Sequence, residues 1–312
     1  MDIRELRNFV YIARLQSLSR AAEELRIAQP ALSRQIRKLE GELGVKLLRR
    51  HARGVEVTPA GSIVLKRAEF LIQTLRQIKD EVSADTALVT GHVAIAVPPA
   101  AGGIIMPHLI KALAQSHPEI SVHVVEAIGG ALQELAVSGK ADLIVVHNPL
   151  PSPALRIIPL VQEAMFVVSP PGSQSGRRSI AIKELLRLPL ILPSYPHYSR
   201  LILEQMAARH GIQLNVVMEA DGAALTRNLI AAGLGHGVMT LPPVQKQSER
   251  GELVAVPISG RNLHSTLALT FRRDAGLSAA GHVAVEAIKK TVADLVARRE
   301  WPGALRLAAN SD

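Results

Sequence analysis

Residues 17–50 read SLSRAAEELRIAQPALSRQIRKLEGELGVKLLRR, and this stretch decides the N-terminal fold. Ser17 and Ser19 are N-cap candidates for a short helix whose apolar side is Leu18, Ala21, Ala22 and Leu25. The pattern breaks at Ile27-Ala28-Gln29-Pro30. Pro30 suits the first turn of a new helix, where its missing N–H costs nothing. Ala31, Leu32, Ile36, Leu39 and Leu43 then hold one apolar stripe at helical spacing, opposite Gln29, Ser33, Arg34, Arg37 and Lys38. Long donors separated by small side chains are what a major-groove reader needs. A solvated face on an ordinary surface helix has the same composition, but two helices joined by a short turn favour DNA reading.

The flanks extend this unit. After Gly44, the residues Val45, Leu47 and Leu48 form an apolar patch, and Arg49-Arg50-His51-Ala52-Arg53-Gly54 leads into Val55, Val57 and Thr58. That order predicts a β-hairpin wing with a glycine turn, whose arginines would enter a minor groove or grip phosphates. An N-terminal helix carrying Leu6, Phe9, Val10 and Ala13 on one side completes the core.

Residues 1–60 resemble the winged helix-turn-helix of the LysR-type transcriptional regulators. The resemblance is carried by Leu6, Phe9, Ser17, Ala21-Ala22, Leu25, the run Ala28 to Ile36, Leu39-Glu40, Leu43-Gly44, Leu47-Leu48, Arg50 and Thr58 to Gly61. It continues to about residue 298. It implies base contacts at the start of the second helix, here Gln29, Pro30, Ser33 and Arg34, and a minor-groove contact at Arg53. Ser17, Arg37, Lys38 and Arg50 complete the expected DNA-binding set. The family's activity implies a homodimer or tetramer, with RNA polymerase as a further partner.

The 312 residues suggest two to three domains at ~100–200 residues each. Net charge is +9, and residues 1–58 hold 12 Lys/Arg against 7 Asp/Glu. More than half of the excess thus sits in under a fifth of the chain, which fits attraction to a phosphate backbone. There is no cysteine, so disulfides, thiolate catalysis and thiolate metal sites are excluded. MDIRELRNF lacks the apolar core of a signal peptide, and no run of about 18 apolar residues would span a membrane. These features point to the cytoplasm.

Val64, Ala68, Leu71, Leu75, Ile78 and Val82 are spaced alternately four and three apart, a heptad seam that predicts a dimerisation helix over 60–88. An amphipathic helix packed on its own domain is the alternative. From Thr86–Gly91 onward, short apolar runs alternate with helical patterns, which predicts an α/β domain with a largely parallel sheet. The expected organisation is a DNA-binding domain at 1–59, the linker helix at 60–88, an effector-binding domain at 89–299 and a tail at 300–312. The effector region resembles the two-lobed, periplasmic-binding-protein-like (type 2) domain of the same family. Lobe 1 would be about 91–161 and 267–299, and lobe 2 about 162–266.

Strand ends nominate the crevice between lobes. They are Pro99, Ala100, Ala101 and Gly102 after the first strand, Gly129 after the second and His147 after the third. Lobe 2 offers Ser194, Tyr195, His197, Tyr198 and Asp221. Two of the three tyrosines fall in this last cluster beside a histidine, which suits a stacking, hydrogen-bonding wall; a Pro-containing turn with exposed aromatics explains them equally. Many family members carry a Ser or Thr where Ala100 and Ala101 stand, so the resemblance gives no support for an acidic effector. Within the family, Gly91–Ala101, Met106-Pro107 and Leu192-Pro193-Ser194 look most like the nitrogen-assimilation branch. No catalytic motif, metal spacing or cofactor signature appears. The expectation is a non-enzymatic, sequence-specific regulator modulated by a small ligand. The alternatives are an effector-independent oligomerisation domain, a cytoplasmic solute-binding protein or an enzyme.

Overall fold

In the computed structural model the described residues are 1–51, 54–83, 89–174, 176–195, 197–259, 263–273 and 276–305. The head comprises α1 (Ile3–Leu15), α2 (Leu18–Leu25), α3 (Gln29–Leu43), β1 (Leu48–His51) and β2 (Gly54–Val57), followed by the linker helix α4 (Pro59–Ser83). Asp2 and Glu5 form a capping box at the start of α1, and Ser17 caps α2. Gln16 and Arg26 end these helices in the left-handed conformation. Phe9, Ile12, Ala21, Leu32, Leu39 and Leu47 close a common core, each large apolar side chain contributing ~1.5–3 kcal/mol.

Two expectations for the head need correction. Leu43 is 37% exposed and Val45 is 44% exposed, while Leu39 before them and Leu47 after them are fully buried, so the turn at the end of α3 faces outward. The heptad seam is also split. Ala68 is buried in the head's own core and Val64 packs against it, so only Leu71, Leu75 and Ile78 stand exposed, together with Ile63. A helix that leaves a globule spends its first turns covering that globule. The side chain of Val82, the break expected at Thr86 and Arg53 in the wing lie outside the described residues.

The remaining chain alternates as β3 (Gly91–Val97), α5 (Pro99–Ser116), β4 (Ile120–Glu126), α6 (Gly130–Ser138), β5 (Leu143–His147) and β6 (Leu155–Ser169). It continues with α7 (Ile182–Leu185), β7 (Pro189–Leu192), α8 (Tyr198–His210), β8 (Asn215–Glu219), α9 (Ala223–Ala231) and β9 (Gly237–Thr240). The last elements are α10 (Gln245–Glu249), β10 (Val254–Pro257), β11 (His264–Arg272), α11 (Ala279–Ala297) and β12 (Ala304–Leu305). The sheet is mixed rather than largely parallel. β3 pairs in parallel with β4 and β5, and β7 with β8. The long β6, however, takes β9, β10, β11 and β12 antiparallel. β6 and β11 are the strands that pass between lobes, one in each direction, so they meet antiparallel.

Separate apolar clusters mark the lobes. Ile95, Leu109, Leu143, Leu269 and Ile288 centre the first, and Val167, Leu190, Leu203 and Val256 the second. Residues 301–305 are not a free tail. Trp301 is 3% exposed within the first lobe's core, and Ala304-Leu305 pair with Glu163 and Gln162 on β6.

Candidate nucleic-acid interface and interlobe crevice

The face expected to read DNA lies on α3. With 3.6 residues per turn, Gln29-Pro30, Ser33-Arg34 and Arg37 stack on successive turns. Gln29, Pro30, Arg34 and Arg37 are exposed and Ser33 is half-buried. Leu32, Ile36 and Leu39 on the opposite side are buried, so the helix cannot roll without opening the core. Pro30 sits in the first turn, where no intrahelical N–H is lost.

Four of the expected contacts, Lys38, Arg50, Ser33 and Ser17, are engaged within the protein. Lys38 Nζ donates to Glu5 Oε1 at 2.8 Å and lies 3.7 Å from Glu42. Hydrogen bonding to Glu5 raises the Lys38 ammonium above its ordinary value, and the same bond lowers the Glu5 carboxyl. Lys38 thus ties α3 to α1. Arg50 Nη2 donates to Ser33 Oγ at 2.8 Å, joining the wing to the reading helix while the guanidinium remains on the exposed side of β1. Ser17 serves as the N-cap of α2, its Oγ accepting from Arg20 N at 3.3 Å.

A residue of the family-like run, without a role expected from sequence, fixes the wing. Glu40, 7% exposed, accepts Leu47 N at 2.9 Å and Leu48 N at 3.2 Å through Oε1. Its Oε2 accepts Lys46 Nζ at 2.8 Å. Burial pushes this carboxyl up, but the lysine and the two backbone donors outweigh it and hold it below the usual range. Wing and reading helix are therefore one rigid body. Gly54 closes its far side. Its φ is +138°, and a Cβ there would lie 2.5 Å from Gln16 O, which itself accepts Val55 N at 2.9 Å.

The residues expected to line a crevice divide into exposed and buried ones. Ala101 is buried and Gly102 packs so closely on Val97 that a Cβ would sit 2.6 Å from Cγ2. The helix starts at Pro99 and these residues are already in its first turn. Of the four residues Pro99 to Gly102, Pro99 and Ala100 reach the surface. Gly129, with φ +53°, begins the turn into α6, and neighbouring Ile128 approaches lobe 2, where a Cβ on Gly222 would lie 3.6 Å from its Cδ1.

His147 closes β5 with Nε2 2.7 Å from Glu163 Oε2, and Glu163 Oε1 accepts Trp301 Nε1 at 3.1 Å. Glu163 is 1% exposed, so a buried carboxylate sets the orientation of this imidazole. Across the crevice, Ser194 Oγ and N donate to Asp221, and these bonds hold the Asp221 carboxyl below its ordinary value. His197 caps α8 by accepting Ser199 N. Burial lowers its imidazole, the His147 charge adds to that, and Asp221 opposes both. Tyr198 donates to His264 O at 3.3 Å on the crossing strand. Tyr195 is 54% exposed with Arg200 5.3 Å from its ring centroid. Among the described residues there is no cluster of three or more His, Asp or Glu able to hold a metal. No described helix is long and apolar enough to cross a membrane.

Comparison with known proteins agrees with this division. Residues 3–62 match the model for bacterial regulatory helix-turn-helix proteins of the lysR family, and residues 86–293 match the LysR substrate binding domain. The HTH-type transcriptional regulator BbuR of Bordetella bronchiseptica is 32% identical, over 97% of this chain and 94% of the relative. The nitrogen assimilation regulatory protein nac of Escherichia coli is 30% identical, over 96% and 99%. Among solved structures, full-length CbnR complexed with its target DNA matches with a TM-score of 0.70 at 22% identity, covering 93% of this chain and all of that one. A full-length OxyR variant from Pseudomonas aeruginosa matches with the same TM-score of 0.70 at 24% identity, covering 94% and 97%.

Proposed function

The chain belongs to the LysR family of bacterial helix-turn-helix regulators, and from that premise we propose how its residues divide the work of reading DNA. It is a DNA-binding transcription regulator with an effector-binding domain. The boundaries we assign are 1–59 for the head, 60–88 for the linker helix and 89–299 for the lobes, with the C-terminal strap 301–305 added to the lobes. Gln29, Pro30, Ser33 and Arg34 are the readers of base edges. Arg37, Arg50 and Arg53 grip phosphates or the minor groove. Leu71, Leu75 and Ile78 dimerise α4, so two heads meet DNA at fixed spacing.

The observation that carries this reading is the locked presentation of the Gln29–Arg37 face, buried on one side and rigidly joined to the wing through Glu40. A small ligand between the lobes, near His147, His197 and Asp221, shifts the population of lobe arrangements and thereby the spacing of the heads. The protein acts in the cytoplasm, contacts RNA polymerase and carries no catalytic activity.

Binding to a selected site and to a scrambled duplex, each at several salt concentrations, tests the reader assignment. Arg34→Ala should lose ~1–3 kcal/mol on the selected site alone. Arg37→Ala should weaken both duplexes and flatten the salt dependence. Equal losses on both duplexes for Arg34→Ala overturn its role as reader.

A further inference from the structure

One side chain links all three parts of the chain. Glu69 lies on α4, where Ile63, Leu71 and Leu75 are exposed, yet its own side chain is only 7% exposed. Its Oε1 accepts Arg14 Nη2 at 3.2 Å and Nε at 3.4 Å, from α1 of the head. Its Oε2 lies 3.3 Å from Lys140 Nζ, from the turn after α6 in lobe 1. That oxygen is buried and has no hydrogen bond of good geometry, so the lysine charge is what compensates it. Removing one partner of a buried pair leaves an uncompensated charge, which is far costlier than losing a surface pair.

The surrounding contacts run the same way. One turn earlier Lys66 Nζ pairs with Glu134 of α6 at 3.4 Å. At the next position the Phe70 ring lies under Arg272 at the end of β11, with the guanidinium carbon 4.3 Å from the centroid. α6 itself spans nine residues, about 13 Å at 1.5 Å per residue. Its N-terminal end, Gly130, follows the Ile128-Gly129 turn that faces Gly222 of lobe 2. Its C-terminal end turns at Gly139, φ +69°, into Lys140. One short helix therefore runs from the crevice to the linker helix.

We propose that Glu69 is a positioning residue for DNA binding: it fixes the head to the effector lobe of its own chain, and α6 is the strut that carries lobe movement to it. This rests on the reading of the chain as a ligand-modulated regulator. A shift of α6 at the crevice moves Lys140 and Glu134 together, and α4 follows through Glu69 and Lys66. The head follows α4 through Arg14 and the shared core around Ala68.

The absence of cysteine makes the test direct. Nitroxide labels at Glu23→Cys on α2 and Lys111→Cys on α5, both exposed, report the head-to-lobe distance by pulsed electron resonance. Excess unlabelled protein suppresses signals between copies. The parent should give one narrow distance. E69Q should broaden it, and K140Q should do the same, because it removes the lobe end of the joint and leaves the buried Glu69 oxygen uncompensated; circular dichroism checks that both variants remain folded. E69Q/K140Q should be no broader than E69Q alone. In the unlabelled proteins, preference for two half-sites at optimal spacing over the same half-sites moved by half a turn should fall about tenfold in E69Q, with single-half-site affinity unchanged. An unchanged narrow distance in E69Q overturns the proposal. Broadening in E69Q without broadening in K140Q overturns it as well, since the lobe end of the joint would then carry nothing. If the parent shows no DNA sequence preference, the regulatory reading fails, and the distance measurement still decides the role of Glu69.

Discussion

Removing the Glu40 carboxylate should detach the wing from the reading helix. Glu40→Ala strands the N–H groups of Leu47 and Leu48, both in buried bonds to Oε1. A buried unsatisfied donor costs ~1–3 kcal/mol, so the pair costs ~2–4 kcal/mol after water enters. Glu40→Gln is the informative control. Both amides use the same oxygen, so a glutamine carbonyl in the same pose still accepts both. What it forfeits is the bond to Lys46, whose side chain is 75% exposed, worth ~0–1 kcal/mol. Amide hydrogen exchange at Leu47 and Leu48 reads this local opening. With tenfold per 1.4 kcal/mol, Glu40→Ala should exchange about 30- to 700-fold faster and Glu40→Gln within about fivefold of the parent. Affinity for DNA should follow the same order. Equal protection in all three proteins would refute the reasoning, because Glu40 would then not be what holds the wing.

Other consequences follow from the same geometry. Gly61→Ala places a Cβ 2.1 Å from the Leu47 carbonyl oxygen, so thermal unfolding should show a head destabilised by several degrees while lobe unfolding is unmoved. Leu75→Glu puts a charge on the exposed face of α4, and sedimentation should show the dimer dissociating at concentrations where the parent stays associated. The carboxyls of Glu5 and Glu40 are lowered in the folded head, so the stability they supply is present above their ordinary pKa of 4.5 and lost as pH falls below it. Acid titration followed by circular dichroism should show head unfolding displaced toward neutral pH in Glu5→Gln/Lys38→Met, which has already lost that contribution. Burial likewise lowers His197 and His236, so lobe stability should decline as pH falls through and below 6.5.

The helices of the head were legible because their signals are local. Ser17 as cap, the Ala28–Pro30 break and the Leu32, Ile36, Leu39 stripe all act within one or two turns. So does the Asp2/Glu5 capping box, which the spacing D-x-x-E would have revealed. Leu43 misled because periodicity says which face a residue is on and nothing about where the neighbouring globule ends. The seam on α4 misled at Val64 and Ala68 for a related reason: one apolar stripe served two successive partners.

In the lobes, the parallel strands β3, β4 and β5 were readable as apolar runs. The first half of β6, with Arg156, Pro159, Gln162 and Glu163, was hidden because a strand crossing between lobes changes its burial pattern midway. The roles of Glu69 and Glu163 were invisible in sequence, since each charge is compensated by groups distant in the chain, and that of Glu40 was hidden because its partners six to eight residues on are reached only when the chain turns back after α3. Of the residues expected to line the crevice, Ala101 and Gly102 are packing residues, because the helix begins at Pro99.

The central claim is that the exposed face of α3 reads sequence in a pair of heads. Selecting binding sites for the full chain from random duplex DNA, in parallel with Arg34→Ala, tests it most directly. The parent should yield a dyad-symmetric motif, with half-sites separated by about 10–10.5 base pairs or a multiple, and Arg34→Ala should lose preference at one position per half-site. A parent that enriches no motif and binds all duplexes with the same salt-dependent affinity would contradict it.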